Sequence, residues 1–395
     1  MRTAAPTGTA PHTWRDLFSL PRDVHYLNCA YMSPLLRPVE EAGIAGIRKK
    51  RFPGDIGPAD FFAGADRVRA LFARLVGADD PARVAILPAV SYGIAIAARN
   101  TAITAGQTIV LTEGQFPSNV LVWRRLAAER GGELRVVRAP AESVGRSVAW
   151  TAAILAAIDG STAAVALPAV HWTDGTRFDL EAIGDRARAH GAALVIDGTQ
   201  SVGALPFDVA AVRPDALVCA TYKWLLGPYS FALGWFGPRY DGGVPLEEAW
   251  LARAGSDDFR ALVDPADEYR PAAARYDVGG RSNFILLPMA EAALEQLLAW
   301  GVETVAGHCR SLTAGLFDDL RAGGYQIDHE DGRAPHLFGL RLPPGREMEA
   351  VRGALERCRV LVSLRGTAVR VSPHLYNDAA DLAALREALL GGAGA

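Results

Sequence analysis

Val195-Ile196-Asp197-Gly198-Thr199-Gln200-Ser201-Val202-Gly203 is the stretch from which the fold is read. An apolar run ends on an aspartate that enters a glycine-containing turn at once. A second apolar run, Ala216-Leu217-Val218-Cys219, leads into Ala220-Thr221-Tyr222-Lys223-Trp224-Leu225-Leu226-Gly227-Pro228 and places a lysine 26 residues after the aspartate. Short continuous apolar runs bounded by turns are the mark of strands buried on both faces.

Outward from this pair the same grammar repeats. Upstream, strands are expected at Val84-Leu87, Thr108-Leu111, Leu134-Val137 and Ala163-Leu167. Helices are expected at 93–100, 119–130, 152–158 and 180–190 between them, after two earlier helices at 34–51 and 61–76. Repeated strand–helix units of this length predict an α/β fold with a mostly parallel sheet, whose ligands bind at the carboxyl ends of the strands. Residues 241–280 are rich in Gly, Pro and charge and read as loops. Beyond them helices at 286–300, 302–321, 347–357 and from 378, with strands at 336–340, 360–363 and 368–371, predict a smaller α+β domain. The expected division is an arm over 1–33, a large domain over 34–280 and a small domain over 281–395.

Composition bounds the function. A net charge of -3 over 395 residues carries no electrostatic footprint for nucleic acid or an anionic membrane. The first twenty residues have no apolar core of a signal peptide, and no apolar run spans a bilayer, so a cytoplasmic protein is expected. Cys29, Cys219, Cys309 and Cys358 lack the spacing of a zinc site or a disulfide framework. Lysine occurs only at Lys49, Lys50 and Lys223, with arginine elsewhere. Arginine cannot form a Schiff base, so a solitary lysine among apolar neighbours points to amine chemistry.

Three predicted strand ends carry polar residues that suit one cofactor. Asp197 could hold a heteroaromatic nitrogen protonated. Lys223 supplies an amine. Ala89-Val90-Ser91-Tyr92-Gly93 opens a helix whose free N–H groups suit a phosphate.

Together with Phe116-Pro117-Ser118-Asn119 and His171-Trp172-Thr173-Asp174-Gly175, these segments resemble the class V aminotransferase family. That family includes cysteine desulfurases, kynureninases, isopenicillin N epimerase-like proteins and ergothioneine-type C–S lyases. The likeness runs from Tyr26-Leu27-Asn28 to Arg370-Val371-Ser372-Pro373-His374-Leu375-Tyr376-Asn377. It implies the pyridoxal-5'-phosphate (PLP)-dependent transferase fold type I, with a sheet of the seven-stranded kind. It also implies a role for each matching residue. Lys223 would hold PLP as a Schiff base and then act as general base, Asp197 would pair with the ring nitrogen, and Gln200 would donate to the phenolic oxygen. Phe116 would stack on the ring, as in kynureninases, while Ser91, Tyr92 and Tyr222 would serve the phosphate. Ser282 and Asn283 would reach over from a second subunit, which implies a homodimer. Arg370 would bind the substrate carboxylate, with Asn28 and Tyr31 lining the substrate pocket; His171 and Trp172 fall at the same crevice, with the role of His171 open.

A departure from the family narrows the chemistry. Desulfurases carry a nucleophilic cysteine shortly before the carboxylate-binding arginine, and Ser363-Leu364-Arg365-Gly366-Thr367-Ala368-Val369-Arg370 has none; only Cys29, in the arm, leaves persulfide chemistry an opening. The expected activity is therefore a Cβ lyase acting on an amino acid, for example by C–S cleavage of a cysteine conjugate in specialised biosynthesis. The alternatives are an aminotransferase, epimerase or decarboxylation-coupled deaminase, and last a PLP-binding protein without turnover.

Overall fold

The computed structural model describes residues 13–141, 145–365 and 368–391. An arm strand β1 (His25–Tyr26) precedes helices α1 (Arg37–Lys49) and α2 (Ala63–Leu75). Next come β2 (Val84–Leu87), α3 (Val90–Arg99), β3 (Thr108–Thr112), α4 (Leu121–Arg130), β4 (Glu133–Val137), α5 (Arg146–Ala157) and β5 (Thr162–Pro168). They are followed by α6 (Leu180–Ala189), β6 (Ala193–Asp197), the short α7 (Val209–Val212), β7 (Ala216–Ala220) and β8 (Ala232–Phe236). The C-terminal part holds α8 (Leu286–Trp300), α9 (Val302–Thr313), α10 (Leu316–Ala322), β9 (Phe338–Arg341) and α11 (Met348–Arg357). It ends with β10 (Val360–Leu361), β11 (Ser363–Arg365), β12 (Ala368–Val371) and α12 (Ala379–Leu390).

Seven strands form the central sheet in the order β2-β8-β7-β6-β5-β3-β4. All run parallel except β8, which is antiparallel to both neighbours. Side chains alternate between two cores: Val84 and Ile86 enter one, Ala85 and Leu87 the other, so both faces are dry and the strands read as unbroken apolar runs. Helix α8 packs on α1 and α2 in the first core. A third core gathers Leu27 with residues of α10, β9, α11, β12 and α12.

Three features depart from the sequence reading. Strand β8 was absent from it; the connection 221–231 contains no helix, and without a crossover the chain can return only antiparallel. Helix α5 begins at Arg146, not at 152, because Trp150, a modest helix former, is fully buried there and donates its indole N–H to Val137 O (3.2 Å). The expected helix over 302–321 breaks at Ala314-Gly315 into α9 and α10. No helix among the described residues is long and apolar enough to cross a membrane.

Candidate active site

Because six of the seven strands are parallel, their carboxyl ends open on one edge, and the loops there line a cavity of about 470 Å³. Strand register places Asp197, the last residue of β6, beside Pro168 of β5 and Val218 of β7. Lys223 follows β7 after three residues, Phe116 follows β3 after four, and Ser91 lies in the first turn of α3. Gly93 lets that helix approach the sheet, since a Cβ there would stand 2.6 Å from a Val218 methyl.

Lys223 is buried, its Nζ 5.6 Å from the Phe116 ring centroid and 5.5 Å from that of Tyr222. Burial pushes its amine down to about 8; Asp197 pulls the other way, and Arg370 and Arg365 add to the depression. The loop that presents it holds Leu226 at φ 55° and Ser230 at φ 59°, conformations that cost non-glycine residues energy and recur where a loop serves a site.

Asp197 is buried, and burial raises its pKa against hydrogen bonds from Thr199 and the charge of Lys223. Thr199 N–H donates to its Oδ1 at 3.0 Å. Gln200 is oriented from behind: the Trp224 indole N–H, which can only donate, meets Oε1 at 2.8 Å, and Nε2 donates to Ala30 O at 3.1 Å. One amide hydrogen of Gln200 remains for the cavity. Ser91 and Tyr222 line the cavity as well, whereas Tyr92 turns outward and is half-exposed. Ala89, the residue before α3, offers no side-chain cap; Tyr92 N–H donates to Ala89 O (3.1 Å), and the N–H groups of Val90 and Ser91 stay available to an anion.

Arg370, only 1% exposed, lies on β12. Its Nη1 donates to Trp172 O (3.0 Å) and its Nη2 to Ser363 Oγ (3.3 Å), whose hydroxyl donates in turn to Asn28 Oδ1 (2.8 Å). Asn28 thus steadies the arginine through Ser363. Burial, reinforced by Arg365, pushes the guanidinium down to about 10. Tyr31 is exposed and its side chain stands outside the cavity lining.

The two ring nitrogens of His171 are occupied, Nε2 with Glu113 O (3.2 Å) and Nδ1 with Thr173 Oγ1 (2.8 Å) and Asp174 (3.4 Å). The neighbour that lines the cavity is Trp172, whose ring is 5.5 Å from that of Phe116. Ser282 and Asn283 are not brought to Lys223 within one chain. Ser282 Oγ donates to Phe61 O (2.7 Å), and Asn283 Oδ1 accepts from Ile285 and Leu286 N–H at the start of α8, in a separate groove beside Ile47 and Trp250. Cys29 is fully buried, with its thiol pushed up to about 12 by burial, which deprives persulfide chemistry of its nucleophile.

Thr199 and Trp224 have no place among the site residues of the sequence reading, which sets Trp172 beside His171 at the crevice without a role. Trp172 stands within a quoted motif, but which of two adjacent residues faces a crevice depends on the turn between β5 and α6.

Comparison with known proteins converges on one family. A model of the family described as Aminotransferase class-V matches residues 59–322. The chain is 26% identical over 392 residues to isopenicillin N epimerase of Amycolatopsis lactamdurans, covering 95% of this chain and 96% of that one. It is 28% identical over 341 residues to kynureninase of Burkholderia mallei, covering 82% and 78%. Among solved structures, a cystine C–S lyase in complex with its product cysteine persulfide superposes with a TM-score of 0.83 at 20% identity, over 93% of this chain and 97% of that one.

Proposed function

Since the chain belongs to the class V aminotransferase family and is a PLP-dependent enzyme, we propose that it is a Cβ lyase that cleaves the C–S bond of a cysteine conjugate. The residues fit the cofactor. Asp197 is a buried carboxylate with no cation bonded to it among the described residues, a costly arrangement that a protonated ring nitrogen relieves. Lys223 is a buried amine suited to an aldehyde, Gln200 keeps one N–H for a phenolic oxygen, and Phe116 offers an aromatic face. Ser91, the first turn of α3 and the Tyr222 hydroxyl would take the phosphate. When bound, PLP supplies an electron sink for the bonds to Cα.

One observation carries the reading against epimerisation: Lys223 is the buried proton-moving group left to the substrate, the Tyr229 phenol of the lining being exposed. Asp197 is assigned to the cofactor, the His171 nitrogens are occupied, Phe116 cannot titrate, and the Cys29 thiol is buried and held protonated. Epimerisation by two bases needs a second such group. Elimination needs one, as transamination does, and the co-substrate requirement separates those two. Lys223 Nζ takes the Cα proton and returns it to the departing sulfur, and burial, by favouring the neutral amine, suits it to accept that proton. Arg370 holds the α-carboxylate meanwhile. The net products are a thiol, a 2-oxo acid and, after hydrolysis of the enamine, ammonia.

Purified holoenzyme given S-alkyl cysteines should form 2-oxo acid and ammonia in equal amounts without an amino acceptor. A strict requirement for a 2-oxo-acid co-substrate would replace the lyase with an aminotransferase. The working unit of this reading is a homodimer that buries Ile47, Trp250 and Ser282-Asn283 against the second copy.

A further inference from the structure

A second guanidinium stands beside the first. In the β11–β12 hairpin Ser363 is opposite Arg370 and Arg365 is opposite Ala368. Directly paired residues point the same way and alternate residues of a strand share a face, so Ser363, Arg365 and Arg370 lie on one side of the hairpin. That side meets Trp172. The guanidinium carbons of Arg365 and Arg370 stand 5.7 Å and 5.8 Å from its ring centroid. Trp172 in turn contacts Phe116, the ring beside Lys223.

Neither cation has an acidic partner among the described residues. Among the described residues their hydrogen bonds go to uncharged oxygens: Arg365 Nη1 to Leu364 O at 3.1 Å, and Arg370 to Trp172 O and Ser363 Oγ. The Nε of each is buried without a partner. Two such charges near a third cation, Lys223, repel one another; the Trp172 ring attracts both, and an anion relieves them far more. A single α-carboxylate pairs with one guanidinium. The other stays uncompensated unless the substrate carries a second negative group.

We propose that Arg365 forms a binding site for a distal anion of the substrate, so that the enzyme takes amino acids with a second carboxylate, and under the lyase reading a cysteine whose sulfur substituent ends in one. The proposal rests on Arg370 as the α-carboxylate site and is independent of the reaction that follows.

Calorimetric titration of the holoenzyme with glutarate and with its half-amide, which has the same shape and one charge fewer, tests it. Glutarate should bind roughly 10- to 100-fold more tightly, the effect of one charge-assisted contact. Arg365→Gln should abolish that ratio and leave half-amide binding unchanged, Arg365→Lys should retain part of it, and Arg370→Gln should weaken both ligands. The half-amide is the internal control for folding, because a damaged pocket weakens both ligands and a lost distal contact weakens one. Equal affinities in the parent enzyme, or a preference that survives Arg365→Gln, would overturn the proposal. Product analysis judges the lyase reading separately, so the failure of either is distinguishable from failure of the other.

Discussion

At the scale of the residue, the site consists of charges buried before their partners arrive, and this has a measurable cost. Lys223 has a pKa of about 8 in the folded chain against 10.5 for a free side chain. Between those values the unfolded chain binds a proton that the folded chain declines, so stability of the cofactor-free protein rises with pH from about 8 to 10.5; below 8 the full penalty applies. A depression of this size corresponds to roughly 3 kcal/mol. Cofactor-free Lys223→Met should therefore be more stable than the parent at pH 7 by that order, and should lack the parent's gain above pH 8, in urea unfolding followed across pH. Identical pH dependence in the two would remove the lysine as the source. The same residue shows how much of the site is legible in a sequence. Lys223, Asp197 and Phe116 are found because each ends an apolar run, in the order that the resemblance expects. The meeting of Arg365 with Trp172 escapes because it depends on how a hairpin more than 190 residues away in the chain is placed on the turn after β5.

At the scale of the element, that turn depends on one glycine. Gly175 has φ +80°, and a Cβ on it would strike the carbonyl oxygen of Leu337, whose backbone has little room to yield. Its N–H closes the turn onto His171 O (2.9 Å), and its own carbonyl accepts from Ala334 N–H (2.8 Å). Gly175→Ala should cost about 2–4 kcal/mol, as a left-handed site with a backbone collision does. It should also weaken glutarate binding by displacing Trp172, whereas Gly160→Ala, with nothing within 4 Å, should do neither. Thermal unfolding and titration of the two variants side by side decide this, and parity between them would disprove it. Strands flanked by helices were legible because apolar runs of four to seven residues are hard to mistake in a doubly covered sheet. Strand β8 was not. Ala232-Leu233-Gly234-Trp235-Phe236 has the same composition, but a reading built on alternation with helices had no place for it.

At the scale of the whole molecule, the groove that holds Ser282 and Asn283 leaves large apolar side chains in water. Ile47 is 60% exposed and, near by in the chain, Phe52 is 65% exposed. Sedimentation at micromolar concentration should give a single species of twice 42.0 kDa, and Ile47→Glu should shift it toward one chain with weaker retention of PLP. A parent protein that sediments as one chain would rule out the shared site. The arm ties the molecule together in another way. β1 pairs in parallel with β10, Ser33 N–H donates to Tyr222 O, and Asn28 meets Ser363 across 335 positions. Strand β1 is thus completed by a strand 335 positions later in the chain. At about 5–20 residues per second, the arm waits roughly 20 to 70 s for that partner. The support that Asn28 gives Arg370 through Ser363 is therefore assembled only once residues 360–371 have been made.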